Sequence, residues 1–330
     1  MTAALVAVIA MALVFNYTNG FHDSSNAIAI AISTRAMPPR AALIMAVVMN
    51  VVGALLSTGV ALTVANGIID TPMGGWGLKV LFASLLGAVA WNLTTWYFGL
   101  PSSSSMSLIG GMVGAGLAAG IPVYWTSGVV GEVVLPTVIS PVVGFVAAYL
   151  VMIGVFWLLR RANPHKVERG FRFAQIFSSA ALALGHGLQD AQKSMGMILI
   201  ALIVAGEHHG GHVPLWVVLA CAAAMGIGTY SGGWRIMRTL GRKIFPLRPQ
   251  HGFVAESVGS AVLYLTTFLV AAPISTTQVI TSSVMGVGST ERVSAVRWGV
   301  AREIVIAWIL TLPAAGIVAA IAYGLINLIF

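Results

Sequence analysis

The chain has 330 residues, of which 58% are hydrophobic and only 8% are charged, with a formal net charge of +8. About a quarter of the residues are charged in soluble globular proteins, so this composition excludes a soluble globule and disfavours nucleic-acid binding and cytosolic catalysis. The single cysteine excludes an internal disulfide. We therefore predict a membrane protein with several spans, and at roughly 20 residues per span the length allows about 10 to 12 crossings.

Basic residues fall in four clusters, which orient the predicted spans. Lys and Arg in short loops mark the cytoplasmic side. The clusters are Arg35 with Arg40, residues 160–172, residues 235–248 and residues 292–302. Placing all four inside puts both termini outside and predicts ten spans, at residues 1–34, 41–65, 79–98, 101–121, 133–159, 171–206, 213–233, 252–271, 273–289 and 303–328. The loops then predicted outside contain no Lys or Arg; they are residues 66–77, 121–132 and 207–212.

The two halves of the chain resemble each other. A shift of 172 positions places Pro101 on Pro273 and gives seven identities between residues 93 and 116, and a shift of 167 places Asp23 on Asp190. Five spans per half is an odd number, so the second copy enters the membrane from the opposite face, as in the inverted repeats of secondary transporters. We predict a first inverted repeat at residues 1–159, a cytoplasmic basic linker at 160–172 and a second inverted repeat at 173–330.

One polar motif interrupts an apolar stretch in each half, at residues 19–26 and 185–193. An ionised carboxylate in hydrocarbon is costly, so Asp23 and Asp190 are expected to face a wet cavity or a bound cation, and to face each other. We expect the helices to break at Gly20 and Gly187, which would free carbonyl groups to coordinate an ion. The alternative is that the polar residues only hold neighbouring helices together.

Further residues share these motifs. Asn26 follows Asp23, and Lys193 follows Asp190, by three positions, which places each pair on one helix face. Lys193 adds a positive charge near the midplane, either for a ligand or as the ion-pair partner of Asp190. His22 and His186 are either hydrogen-bonded structural histidines or proton carriers. Glu256 is either a buried functional carboxylate or a residue exposed at the inner interface.

A second polar element also occurs once per half, as a proline followed by hydroxyl residues. Proline cannot continue a helix and hydroxyl residues are preferred N-caps, so each element predicts a helix that starts at membrane depth. Backbone N–H groups, the helix dipole and hydroxyl donors together suit a tetrahedral oxyanion. A plain cap needs one hydroxyl, so we predict an anion site; its candidate residues are Ser102, Ser103, Ser104, Ser105, Ser275, Thr276 and Thr277.

The four motifs, taken together and in this order, resemble the inorganic phosphate transporter (PiT) family, and its bacterial branch most of all. The resemblance implies an all-α membrane protein of two inverted repeats with broken or re-entrant helices. It implies phosphate binding by the hydroxyl runs with Gln192 and Lys193, and cation binding by Asp23, Asn26 and Asp190. Many relatives have histidine after each hydroxyl run, where this chain has Met106 and Gln278. This departure weakens any proton relay through those positions, which leaves His22, His186 and Glu256 as proton-linked candidates.

We therefore predict a symporter that carries inorganic phosphate with Na⁺ or H⁺ across the bacterial cytoplasmic (inner) membrane by alternating access. No cofactor and no resident metal site are expected beyond the coupling cation, although bacterial relatives also accept phosphate complexed with a divalent metal. The expected partners are phosphate, membrane lipid and, by resemblance, a second copy of the chain in a homodimer, and no nucleic acid. A sulfate or other oxyanion permease is the main alternative; a channel and a membrane-embedded enzyme acting on phosphoryl groups are further ones.

Overall fold

The computed structural model describes residues 2–329, and within them every side chain except those of Asn66, Gly67 and Arg242. Met1 and Phe330, which bound the predicted repeats, lie outside the described residues, as does the side chain of Arg242 in the third basic cluster. The described chain is almost entirely helical, and its β-structure is one isolated bridge between Ile69 and Val123. The all-α prediction is confirmed.

The described residues form thirteen α-helices, extended in places by other helical turns. The α-helices are α1 Ala3–His22, α2 Ser24–Ser33, α3 Pro39–Leu56, α4 Gly59–Gly67, α5 Gly75–Phe98, α6 Ser104–Ala118, α7 Leu135–Leu159, α8 Pro164–Val204, α9 Leu215–Ser231, α10 Trp234–Arg238, α11 Pro249–Leu265, α12 Thr276–Glu291 and α13 Trp298–Ile329. The other helical turns are the π-helical segments Trp125–Val134, Thr239–Lys243 and Thr266–Val270 and the 3₁₀ turn Val293–Ala295.

Several of these helices can cross a membrane. Among the described residues, six helical segments are long and apolar enough. Helix α9 with the segment Trp234–Gly241, bent by 58°, makes a seventh if the pair counts as one span. Helix α6 has only 15 residues, which gives a length of about 22 Å, whereas the hydrocarbon core of a bilayer is about 30 Å thick. The prediction of a membrane protein with several spans is confirmed, and α6 is too short to cross alone.

The bounds of some helices differ from the predicted spans. The predicted span 1–34 divides into α1 and α2 at Asp23, and the predicted span 41–65 divides into α3 and α4. Helix α8 begins at Pro164, so the predicted linker 160–172 comprises a short turn and the first residues of α8. The charged residues of this segment are compatible with a helix, since Arg172 forms an i,i+4 ion pair with Glu168.

The helix break predicted at Gly187 is wrong, and the break in the first half lies at Asp23 and not at Gly20. Both glycines serve close helix packing. A Cβ atom on Gly187 would lie 2.1 Å from the backbone oxygen of Asn50, and one on Gly20 would lie 2.6 Å from that of Met225. Glycine costs only about 1 kcal/mol relative to alanine inside a helix, so packing against a neighbouring helix can retain it there without a break.

Helix contacts repeat when one half of the chain is exchanged for the other. Helix α6 packs on α13 as its counterpart α12 packs on α7, and α3 packs on α8 as α9 packs on α1. Helix α5 packs on both α1 and α6, as α11 packs on both α8 and α12. This exchange agrees with an internal duplication. The opposite orientation of the two copies in the membrane stays a prediction.

The polar centre of the molecule lies between two apolar clusters. Phe15 of α1 and Ile198 of α8 belong to one cluster, whereas Ile28 of α2 and Leu182 of α8 belong to the other. The interruption at Asp23 and the middle of α8 therefore fall between the clusters. Packing on both sides fixes these helices and holds their polar residues at the same depth.

Candidate anion and cation site

The two hydroxyl runs begin helices in the same way. Ser103 caps α6, and its Oγ accepts a hydrogen bond from Met106 N at 3.2 Å. Ser275 caps α12, and its Oγ accepts from Gln278 N at 3.3 Å. Both caps are extended and the chain before each cap contains a proline, so the local sequence stops one helix and starts the next. The predicted helix starts are confirmed.

The first turns of α6 and α12 contact each other. Ser105 Oγ donates a hydrogen bond to the backbone oxygen of Ile274 at 2.9 Å, and Gln278 Nε2 lies 3.5 Å from Met106 Sδ. Helix N-termini carry free N–H groups and a partial positive charge. The contact therefore brings two positive helix ends into one buried region.

Asp23 connects α1 to the start of α12. Its Oδ1 accepts a hydrogen bond from Thr277 Oγ1 at 3.1 Å and lies 2.6 Å from His22 Nδ1. Asn26 Nδ2 donates to the same Thr277 oxygen at 2.7 Å. Asp23, Asn26 and Thr277 are all buried. Asp23 and Asn26, which were predicted to share one helix face, thus both bond to a hydroxyl group of the other half of the chain.

Asp190 connects α8 to the same helix start. One of its carboxylate oxygens forms an ion pair with Lys193 Nζ, and the other lies 2.8 Å from His186 Nε2. Thr276 Oγ1 donates to Oδ2 at 3.5 Å. Lys193 Nζ also lies 3.4 Å from the backbone oxygen of Ile274. Asp190 therefore has a cationic partner within the protein, one helical turn away.

The two aspartates and a histidine form one buried cluster. One ligand atom each of Asp23, His186 and Asp190 lie within 4.8 Å of one another, and all three residues are buried. The expectation that Asp23 and Asp190 face each other is confirmed. Two carboxylates and an imidazole at this spacing could hold a cation, because ionised carboxylates and neutral imidazoles are cation ligands.

Both histidines have polar contacts on their other ring nitrogen. His22 Nε2 lies 3.0 Å from Thr95 Oγ1, which in turn lies 2.8 Å from Ser102 Oγ. His186 Nδ1 lies 3.0 Å from Asn50 Oδ1. These contacts orient both rings, as a structural histidine requires, and they leave a role in proton transfer as a prediction.

Two contacting residues had not been singled out as site residues. Asn50 Nδ2 donates to Ser24 Oγ and to Thr229 Oγ1, both at 3.0 Å, beside His186. Thr95, which contacts His22, lies in the repeated segment at residues 93–116 and matches Thr267 at the shift of 172. An asparagine inside an otherwise apolar span is itself a signal, since polar side chains in membrane helices need partners.

Other candidate residues bond to partners outside this cluster. Gln192 Nε2 donates to the backbone oxygen of Leu188 at 2.6 Å, and its Oε1 accepts from Ala61 N at 3.2 Å. Glu256 is fully buried and accepts hydrogen bonds from Ser178 Oγ at 2.6 Å and Gln175 Nε2 at 3.3 Å. The alternative that Glu256 is exposed at the interface is therefore wrong, because α8 covers it.

Several buried polar atoms near the site have no hydrogen-bond partner among the described residues. They include Ser104 Oγ and Asn26 Oδ1. A buried polar atom without a partner costs about 1–3 kcal/mol. An anion with oxygen atoms could accept a hydrogen bond from the Ser104 hydroxyl. A cation could be coordinated by the amide oxygen of Asn26.

Known proteins are similar to this chain in sequence and in fold. The family model described as "Phosphate transporter family" matches residues 19–319. A Bacillus subtilis protein named "Probable low-affinity inorganic phosphate transporter" is 43% identical over 327 residues, which are 98% of each chain. A Mycobacterium bovis protein of the same name is 46% identical over 332 residues, 98% of this chain and 78% of the relative. A solved structure titled "The sodium-dependent phosphate transporter" superposes with a TM-score of 0.90 over 100% of both chains at 24% identity, which shows the fold.

Proposed function

The chain belongs to the phosphate transporter family, and we propose that it carries inorganic phosphate across the bacterial cytoplasmic membrane by alternating access, together with Na⁺ or H⁺. As a member of a family of transporters it is not an enzyme. The observation that carries the proposal is that the hydroxyl-rich start of α12 bonds to both buried aspartates, while the hydroxyl-rich start of α6 contacts the start of α12.

The helix starts of α6 and α12 are the proposed phosphate site. Their first turns offer backbone N–H groups and hydroxyl donors, which suit the four oxygens of a tetrahedral anion. Ser103 and Ser275 are used as caps. Ser105, Thr276 and Thr277 donate to oxygens of the protein, so Ser104 is the hydroxyl of the two runs that remains without a partner among the described residues and is placed to bind the ligand. Two helix dipoles stabilise the anion without a fixed arginine.

The aspartates are the proposed cation site. Phosphate carries between one and two negative charges near neutral pH, and moving one charge against 100 mV costs about 2.3 kcal/mol. Accumulation inside a negative cell therefore requires co-transported cations. Asp23, Asn26 and Thr277 offer carboxylate, amide and hydroxyl oxygens, which suit Na⁺, and His22, His186 and Glu256 remain candidates for the coupled movement of protons. Phosphate complexed with a divalent metal is a further candidate substrate.

The membrane arrangement is also part of the proposal. The four basic clusters are placed at the cytoplasmic face, which puts both termini outside, and the two halves are placed in opposite orientations. Two copies form a homodimer in the lipid bilayer. Glycosylation mapping or cysteine labelling of the termini in intact cells would test the orientation, and a terminus accessible only from inside would contradict it.

Uptake into proteoliposomes tests the function. We expect purified protein to accumulate radioactive phosphate when a Na⁺ gradient or a H⁺ gradient is imposed separately, and to lose accumulation when ionophores collapse the gradient. Competition by excess sulfate distinguishes a phosphate transporter from a general oxyanion permease. Saturable uptake that reverses with the gradient supports transport by alternating access, and non-saturable flux would indicate a channel.

A further inference from the structure

The two halves of the chain place different residues at one matched position of the site. The shift of 167 that places Asp23 on Asp190 also places Asn26 on Lys193. Each second residue follows its aspartate by three positions and lies on the same helix face. A neutral amide in one half therefore corresponds to an ammonium group in the other, and both residues are buried.

In the first half the aspartate has neutral oxygen donors beside it. Asn26 Nδ2 donates to Thr277 Oγ1 at 2.7 Å, and Asn26 Oδ1 has no partner among the described residues. Thr277 Oγ1 also lies 3.1 Å from Asp23 Oδ1. Carboxylate, amide and hydroxyl oxygens thus gather here around a single negative charge, which leaves this position able to bind an exchangeable cation.

In the second half, the side chain of Lys193 lies beside Asp190, at the position that matches the one beside Asp23 in the first half. Its Nζ pairs with Asp190 and lies 3.4 Å from the backbone oxygen of Ile274, which also accepts from Ser105 Oγ. Lys193 is only 1% exposed. The ammonium group thus contacts one carboxylate oxygen and one backbone oxygen, which are the kinds of ligand that a small hard cation takes.

We propose that the ammonium of Lys193 is a tethered cation that occupies the position of a second coupling ion, so that the chain binds at most one exchangeable Na⁺, at Asp23 and Asn26. With the imidazoles of His22 and His186 counted as neutral, the two carboxylates and the ammonium leave one negative charge in this cluster, which a single monovalent cation balances. Lys193 then acts as a specificity-determining residue for the number of coupled ions, and it is not a ligand of phosphate. This inference deepens the proposed function. It depends on that function only in treating the bound Na⁺ as an ion that is transported together with phosphate.

Equilibrium binding of radioactive Na⁺ to the purified full-length protein tests the proposal directly. The Lys193→Asn variant copies the first half, and we expect it to bind one more Na⁺ per chain than the wild type. The Lys193→Arg variant keeps the charge and is expected to bind the same number as the wild type. In Lys193→Asn, replacing choline chloride by sodium chloride should also raise the unfolding temperature more than it does in the wild type.

The outcomes separate this inference from the proposed function. An unchanged Na⁺ count in a folded Lys193→Asn variant overturns the inference, as does a wild type that binds two or more Na⁺ per chain, a measurement that needs no variant. In proteoliposomes, the Hill coefficient for Na⁺ should rise by about one in Lys193→Asn. A wild type that transports no phosphate overturns the proposed function, while the Na⁺ counts still decide the role of Lys193.

Discussion

A carboxylate oxygen of Asp23 lies within 4.8 Å of one of Asp190, although Asp23 ends α1 and Asp190 lies within the long helix α8. Two buried carboxylates this close repel each other unless positive charge lies between or beside them. Asp190 has Lys193 beside it, whereas the described neighbours of Asp23 are His22, Asn26 and Thr277. In the proposed mechanism, Asp23 is consequently the aspartate whose charge the transported cation balances.

Removing the charge of Asp23 is the sharpest test of cation coupling. We expect Asp23→Asn to lower gradient-driven phosphate accumulation at least tenfold, since the loss of about 1.4 kcal/mol of cation binding already changes an equilibrium tenfold. Radioactive phosphate uptake into proteoliposomes measures it. The matched control is Asp70→Asn, which changes an exposed aspartate in a loop and should leave uptake unaltered. Wild-type accumulation by Asp23→Asn would remove Asp23 from the coupling mechanism.

The ion pair of Asp190 with Lys193 predicts a stability effect. Removing one partner of a buried ion pair leaves the other charge unpaired and costs about 3–5 kcal/mol, whereas replacing both partners is often neutral. We therefore expect Asp190→Asn to lower the unfolding temperature in detergent. The double variant Asp190→Asn with Lys193→Met should regain most of that loss. If the single variant were as stable as the double variant, the two side chains would not be paired in the folded protein.

The hydroxyl of Ser104 predicts an effect on substrate affinity without an effect on folding. Its Oγ has no partner among the described residues, so Ser104→Ala breaks no hydrogen bond within the protein. A hydrogen bond to a charged group is worth about 1.5–3 kcal/mol, and its loss should raise the KM for phosphate by roughly tenfold or more. Uptake measured over a range of phosphate concentrations gives the KM.

The control for Ser104 lies one turn further along the same helix. Ser107 Oγ donates to Asn92 Oδ1 at 2.8 Å and to the backbone oxygen of Ser104. We expect Ser107→Ala to lower the unfolding temperature and to leave the KM near the wild-type value. The opposite pattern, a stable Ser107→Ala with a raised KM and an unaffected Ser104→Ala, would move the phosphate site away from the start of α6.

Much of the site could be predicted because its signals are local. A proline followed by hydroxyl residues favours a helix start locally, so the sequence predicted N-caps within the two hydroxyl runs, and the structure places those caps at Ser103 and Ser275. The duplication then paired Asp23 with Asp190 before any contact was known. The contact of His186 with Asn50 was not predictable in this way, because it joins α8 to α3 and depends on how the two helices pack.

The continuity of helix α8 through Gly187 could not be predicted from the sequence. The helix penalty of glycine is small, and the packing energy that outweighs it comes from a residue far away in the chain. Gly187 beside polar residues suggested a break, and the helix penalty of glycine is about 1 kcal/mol. The close approach of the Asn50 backbone outweighs that penalty and needs a residue without a side chain. The same reasoning explains Gln192, whose amide bonds to Leu188 and Ala61 and thereby ties α8 to α4.

The packing role of Gly187 can be separated from a role in helix breaking by two alanine substitutions in α8. A Cβ atom at Gly187 would lie 2.1 Å from the backbone oxygen of Asn50, whereas one at Gly170 would have no heavy atom within 4 Å. We expect Gly187→Ala to lower the unfolding temperature and the yield of folded protein, because the α3 backbone cannot move aside easily. Gly170→Ala should instead stabilise the helix by about 0.5–1 kcal/mol. If Gly187→Ala were stabilising to the same extent as Gly170→Ala, helices α3 and α8 could not be packed as closely as described.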